Sequence, residues 1–120
     1  MNIVYATDDN GALGTGVSIV SLMENLPPGV HADIYIMTGG LSGDNMARFH
    51  SLQQGYNLHL HFIDMKDKYT DFPVGSKWSA ATYYRLGLAG ELPATVERAL
   101  YVDIDTIFNR DISPMYESEF

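Results

Sequence analysis

Three short apolar runs, Ile3–Ala6, His31–Met37 and Leu58–Ile63, each end in a polar or glycine-rich break and are separated by stretches of helical periodicity. That alternation constrains the chain more than any other feature. Strands that recur with helices between them are joined by crossover connections, which build a mostly parallel sheet with helices on its faces. Val17, Val20, Leu22, Met23 and Leu26 recur near helical spacing between Thr15 and Leu26, before Pro27-Pro28-Gly29 stops the pattern. Ser42 is placed to cap a second helix carrying Met46, Phe49 and Leu52, which closes before Gly55. A loop is predicted over Lys66–Lys77, which contains Pro73 and Gly75, and a helix over Ser79–Leu88. Ala99–Ile104 reads as a fourth strand with Thr106–Phe108 continuing extended, and Asp111-Ile112-Ser113-Pro114 opens a further helix. The expected fold is α/β, a Rossmann-like three-layer α/β/α arrangement with strand order 3-2-1-4. The 120 residues form one unit.

In such a sheet, ligands bind outside the carboxyl ends of the strands where the order reverses, here between strands one and four. Both strands end in acidic residues. The fourth closes Tyr101-Val102-Asp103-Ile104-Asp105. With a side-chain period of two, Asp103 and Asp105 project to one side, roughly 7 Å apart at Cα. Two carboxylates so close repel unless protonated or bridged by a cation, and hard oxygen donors select Mg²⁺ or Mn²⁺. The plainer reading is a pair of solvated carboxylates at a strand end. The first strand closes Thr7-Asp8-Asp9-Asn10-Gly11, whose side chains can accept from a uracil N–H or a ribose hydroxyl, or simply form the turn. Gly11, Gly14 and Gly16 match neither a dinucleotide fingerprint nor a P-loop and read as turn and close-packing residues.

Composition narrows the partners. The net charge is −8, with seven basic residues scattered along the chain, which argues against nucleic acid and anionic membranes. A diphosphate ligand would need a cation beside it. With no cysteine, thiolate chemistry and disulfides are excluded. No apolar run approaches membrane-spanning length and no signal-like segment opens the sequence, so a cytoplasmic protein is expected.

Four segments, in order, resemble glycosyltransferase family 8, the retaining galactosyltransferase and glycogenin-like group. They are Ile3-Val4-Tyr5-Ala6-Thr7-Asp8-Asp9-Asn10, Val17-Ser18-Ile19-Val20-Ser21-Leu22, Thr82-Tyr83-Tyr84-Arg85-Leu86 and Leu100-Tyr101-Val102-Asp103-Ile104-Asp105. The resemblance covers essentially the whole chain and implies the nucleotide-sugar-binding part, residues 1–120, of a GT-A glycosyltransferase domain. It implies a UDP-sugar donor and a carbohydrate, glycolipid or protein acceptor. Ala6, Asp8 and Asn10 would hold the uridine, with backbone contacts from Ile104. Asp103 and Asp105 would bind Mn²⁺ or Mg²⁺ across the diphosphate, and Arg85 would stabilise the donor as a catalytic residue. The family's third metal ligand lies in a His-x-x-Gly-x-x-Lys-Pro-Trp-like segment that this sequence does not contain. An N-terminal part of a larger enzyme is therefore expected, with apolar surface open to self-association.

Other readings are weaker. A non-catalytic nucleotide-sugar-binding remnant would share the donor site. Asp103-Ile104-Asp105-Thr106-Ile107 also approaches the nucleophile motif of haloacid dehalogenase-type phosphatases, which leaves Asp8, Asn10 and Arg85 without roles. Arg85 alone reads equally well as a surface ion-pair residue. His59 and His61 alternate on one strand face, a spacing that suits a metal but more often forms the polar face of a half-buried strand. Trp78, Tyr83 and Tyr84 can stack on a sugar or base, although aromatics at this spacing usually pack.

Overall fold

The computed structural model describes residues 1–69, 71–72 and 80–119. Trp78, the first residue of the predicted third helix (Ser79) and most of the second half of the predicted loop lie outside the described residues. The strands are β1 (Asn2–Ala6), β2 (Ala32–Thr38), β3 (Leu58–Asp64) and β4 (Leu100–Tyr101), all parallel and ordered β3-β2-β1-β4. The predicted order is the observed one.

Alternation of side chains splits the core in two. Ala32, Ile34 and Ile36 of β2 face one side with Leu58 and Leu60 of β3, against Ile19, Leu22 and Met23 of α1 (Ala12–Asn25) and Phe49 of α2 (Gly43–Gly55). Val4, Ala6, Tyr35 and Met37 face the other side, with Met65, Ala81 and Tyr84. Ile3, Ile19, Ile34 and Ile36 are completely buried. Each contributes roughly 1.5–3 kcal/mol by leaving water, enough to fix the strand register. The α/β/α layering holds, with the second layer formed by a 3₁₀ helix (Ala80–Gly87) and the single turn α3 (Leu88–Glu91). A last turn, α4, covers Ser113–Tyr116.

Local boundaries follow recognisable chemistry. The Ser42 side chain accepts a hydrogen bond from the Asn45 backbone N–H at 3.2 Å, the cap expected of it. The first helix begins at Ala12, three residues earlier than its apolar periodicity suggests, and Val17 is 46% exposed rather than in the core. The segment predicted as an α-helix from Ser79 is 3₁₀ where described. Tyr84 is its deepest aromatic anchor, with a hydroxyl only 2.6 Å from where a Cβ on Gly39 would lie. Strand β4 is also shorter than predicted. Val102 N–H still donates to the Val4 carbonyl at 2.9 Å, but Ile104 and Asp105 form a turn, and Thr106–Phe108 is not a strand.

Candidate donor-binding site

The site is built where β1 and β4 leave the sheet side by side, with Ile3 paired to Leu100 and Val4 to Tyr101. After Ala6, the β1 loop is tied down by its own carboxylates. Asp8 Oδ1 accepts from the Gly11 backbone N–H at 2.9 Å, closing the loop at the start of α1. Asp9 reaches across to α2, where its Oδ1 accepts from Ser42 N–H at 2.9 Å and from Asn45 Nδ2 at 2.8 Å. The Ser42 backbone contact, then the Asn45 amide, hold the Asp9 carboxyl below its ordinary range. Asn10 stands exposed at the turn. The turn-forming role of these residues is therefore present, and it leaves Asn10 free of that work.

Asp103 and Asp105 are both exposed, but strand alternation does not set their relation. Asp103 lies just beyond β4 and Asp105 lies in the turn that follows. The turn is locked from inside by a hydrogen-bond chain. Tyr5 Oη meets Ser18 Oγ at 2.8 Å, Ser18 Oγ meets Thr106 Oγ1 at 3.1 Å, and Thr106 Oγ1 donates to the Asp103 carbonyl at 2.8 Å. Ser21 and Asn25 continue the same stripe of α1. Ser21 Oγ accepts from Phe108 N–H at 2.9 Å, and Asn25 Nδ2 donates to the Phe108 carbonyl at 3.0 Å. This polar edge is what diverts the chain from the extended path expected after Asp105. Its sequence signal was the spacing of Ser18, Ser21 and Asn25 on one helix face.

The buried start of that chain predicts an alkaline weakness. Tyr5 is completely buried, and burial, opposed by its bond to Ser18, pushes its hydroxyl up to about 12. An acid whose folded pKa is raised contributes stability fully below its unfolded pKa, and that stability fades as pH climbs through the folded value. From pH 10 to about 12, the chain is expected to lose roughly 3 kcal/mol through this group. Urea unfolding across this range checks it: Tyr5→Phe must lose less stability with pH than the parent, and equal slopes would exclude Tyr5 as the cause.

Glycines bring the two strand ends together. A Cβ on Gly11 would lie 2.5 Å from Ile104 Cδ1, 2.7 Å from Thr7 Oγ1 and 3.5 Å from Asp8 Oδ1, and one on Gly14 would lie 3.2 Å from the Ile104 carbonyl oxygen. Close packing is thus the role of Gly11 and Gly14. Gly16 has nothing within 4 Å and does not share it.

Beside the Asp103 turn lies a cleft of about 410 Å³ lined by Arg85, Tyr101, Asp103, Thr106, Ile107 and Phe108, together with Val102. The structure therefore joins Arg85 and Asp103 in one cleft, and Asp8 to Ile104 through Gly11. Ala6, Asp8, Asn10 and Asp105 do not line that cleft. Tyr101 belongs to the site although its sequence pattern marks only a strand. Burial, then the charge of Asp103, pushes its hydroxyl up against an opposing effect of Arg85. Tyr84 similarly is raised by burial and by the charges of Asp8 and Asp64, and it packs as expected with its hydroxyl against Gly39, just past β2. Arg85 is exposed and forms no ion pair among the described residues.

Two exposed carboxylates without a hydrogen-bond donor among the described side chains suit a hard divalent cation that keeps positions for phosphate oxygens. A different group, Asp33, His59 and His61, also could hold a metal ion, with its donor atoms all within 4.8 Å of one another. It lies elsewhere on the sheet. No helix among the described residues is long and apolar enough to cross a membrane.

The model of the family described as "Glycosyl transferase family 8" matches residues 2–120. The chain belongs to this family. General stress protein A of Bacillus subtilis (strain 168) is 27% identical over 119 residues, 98% of this chain and 42% of its own length. Lipopolysaccharide 1,3-galactosyltransferase of Salmonella typhimurium is 28% identical over 121 residues, 99% of this chain and 35% of its own length. Among solved structures, the galactosyltransferase LgtC in complex with donor and acceptor sugar analogs superposes with a TM-score of 0.84 at 28% identity, over 99% of this chain and 43% of that one. The sheet and its layers are thus of the GT-A type. The chain spans less than half the length of these family 8 relatives, and the phosphatase reading of Asp103–Ile107 gives way to the family match.

Proposed function

We propose that this family 8 chain is the donor-binding part of a metal-dependent hexosyltransferase that takes a UDP-sugar and retains its anomeric configuration. The observation that carries the reading is the meeting of two acidic strand ends at the reversal of strand order, with Ile104 packed on Gly11 between them. In this reading Ala6, Asp8 and Asn10 hold the uridine, and the Ile104 backbone borders the nucleotide. Asp103 and Asp105 hold Mn²⁺ or Mg²⁺, which when bound neutralises charge on the diphosphate as a Lewis acid. Arg85 faces the same cleft as Asp103 and adds a fixed positive charge where the leaving UDP becomes more negative. Tyr101 lines the same cleft and offers its hydroxyl as a hydrogen-bond donor to the bound donor.

Calorimetric titration of UDP into the purified chain, with and without Mn²⁺, tests the reading. Binding that needs Mn²⁺ is expected. The absence of any UDP binding with either Mn²⁺ or Mg²⁺ present would overturn it. The non-catalytic alternative shares this result and separates from it only by whether the sugar is released from a UDP-hexose.

A further inference from the structure

The open half of the second sheet face carries a polar cluster that the donor site does not use. Parallel pairing of β2 and β3 sets Asp33 opposite His59 and Tyr35 opposite His61. Directly paired residues on one face have neighbouring Cβ atoms, and His59 and His61 are two apart on β3, so all four side chains leave the sheet together. The outcome is a stack. Tyr35 and His61 lie with ring centroids 4.6 Å apart, and His61 and His59 lie 4.5 Å apart with planes 13° from parallel. Asp33 closes the group, with Oδ1 accepting from His61 Nε2 at 3.0 Å.

We propose that Asp33, His59 and His61 form a second divalent-metal site, of the zinc class and independent of the donor site. Two imidazoles and one carboxylate are a donor set that suits Zn²⁺, whereas the all-oxygen pair Asp103 and Asp105 suits Mn²⁺ or Mg²⁺. The donor atoms already lie within 4.8 Å of one another. Ligands about 2.1 Å from a shared tetrahedral ion sit about 3.4 Å apart, so binding draws the donor atoms together and turns the exposed His59 ring out of its stack on His61 to aim a nitrogen at the ion. Rigid strands with buried neighbours (Ala32, Ile34, Leu58 and Leu60) hold the three Cα positions, so little ordering cost remains for the ion.

One further observation points to a cation. Among the described residues His59 makes no hydrogen bond, and its ring contact is the stack on His61, which leaves its nitrogens available. His31 presents Nε2 to Asp33 Oδ1 at 3.5 Å. Its Nδ1 lies 3.0 Å from Asn57 Oδ1, which holds the ring beside the cluster. Asp33 is level with Asn2, four residues before Ala6, where the donor loop begins. That is about 13 Å along the strands, too far for one ion to serve both.

The test is Zn²⁺ titration of the untagged purified chain by calorimetry, beside His59→Ala, Asp33→Asn and Asp103→Asn. One equivalent of Zn²⁺ is expected to bind, at least about tenfold more weakly in His59→Ala and Asp33→Asn, and unchanged in Asp103→Asn. Mn²⁺-dependent UDP binding should be the same in His59→Ala as in the parent. His59 is exposed, so its replacement leaves the fold intact, as far-UV circular dichroism would show. Zn²⁺ affinity equal in folded His59→Ala and the parent, or no Zn²⁺ binding by the parent, would overturn the proposal.

Discussion

Asp103→Asn is expected to remove the Mn²⁺-dependent part of UDP binding while leaving the chain folded, and Asp105→Asn should do the same. Both side chains are exposed, and neither accepts a hydrogen bond from a described residue, so amide replacement breaks no packing. It preserves shape and removes one negative ligand from a cation that the proposal holds by carboxylates and diphosphate. Outer-shell partners of a metal are already worth about 10–100-fold in affinity, so loss of a direct ligand should cost about 100-fold or more. Stability should hold or rise slightly, because one of two neighbouring like charges disappears. Calorimetry of UDP binding at several Mn²⁺ concentrations reads the effect. Unchanged metal dependence in both variants would remove this pair from the site.

The fold was legible where burial dictates pattern. Ile3–Ala6 is apolar throughout because packing covers both of its faces, His31–Met37 and Leu58–Ile63 are apolar at the positions that packing covers, and the helices between them leave few topologies. What was not legible was set by contacts distant in sequence. Tyr101-Val102-Asp103-Ile104-Asp105 alternates as a strand would, and Val102 is buried as a strand residue should be. The turn comes instead from Thr106, whose hydroxyl binds both the Asp103 carbonyl and Ser18, 88 positions away. The segment before Arg85 repeats apolar residues at a spacing that fits both α and 3₁₀ geometry, and periodicity alone does not separate them. The histidine pair on β3 was visible as a spacing, but Asp33 joins it only through strand register. Likewise Tyr101 enters the site because Arg85 and Asp103 converge on it from separate elements.

Gly11→Val is expected to be the most damaging single change near the site, costing about 2–4 kcal/mol and weakening Mn²⁺-dependent UDP binding together with stability. Gly11 has an ordinary backbone angle, φ −88°, so conformational freedom does not require a glycine there. Space does. The new Cβ would enter 2.5 Å from Ile104 Cδ1 and 2.7 Å from Thr7 Oγ1. Ile104 ends in a flexible methyl and can move, but Thr7 is completely buried and its N–H is bonded to the Met37 carbonyl at 3.0 Å. The strain is therefore relieved largely by pushing Ile104 outward, and Ile104 sits between Asp103 and Asp105. Gly16→Ala is the matched control within α1. It meets nothing within 4 Å, and replacing a helical glycine should stabilise by about 0.5–1 kcal/mol without touching UDP binding. Adding Ile104→Ala to Gly11→Ala should recover part of the stability lost in Gly11→Ala, because the nearer of the two clashing groups is then gone. Chemical denaturation and UDP calorimetry on the same variants decide the matter. If Gly11→Val loses stability yet keeps parental Mn²⁺-dependent binding, the contact between the β1 loop and the Asp103 turn is packing alone and does not position the metal ligands.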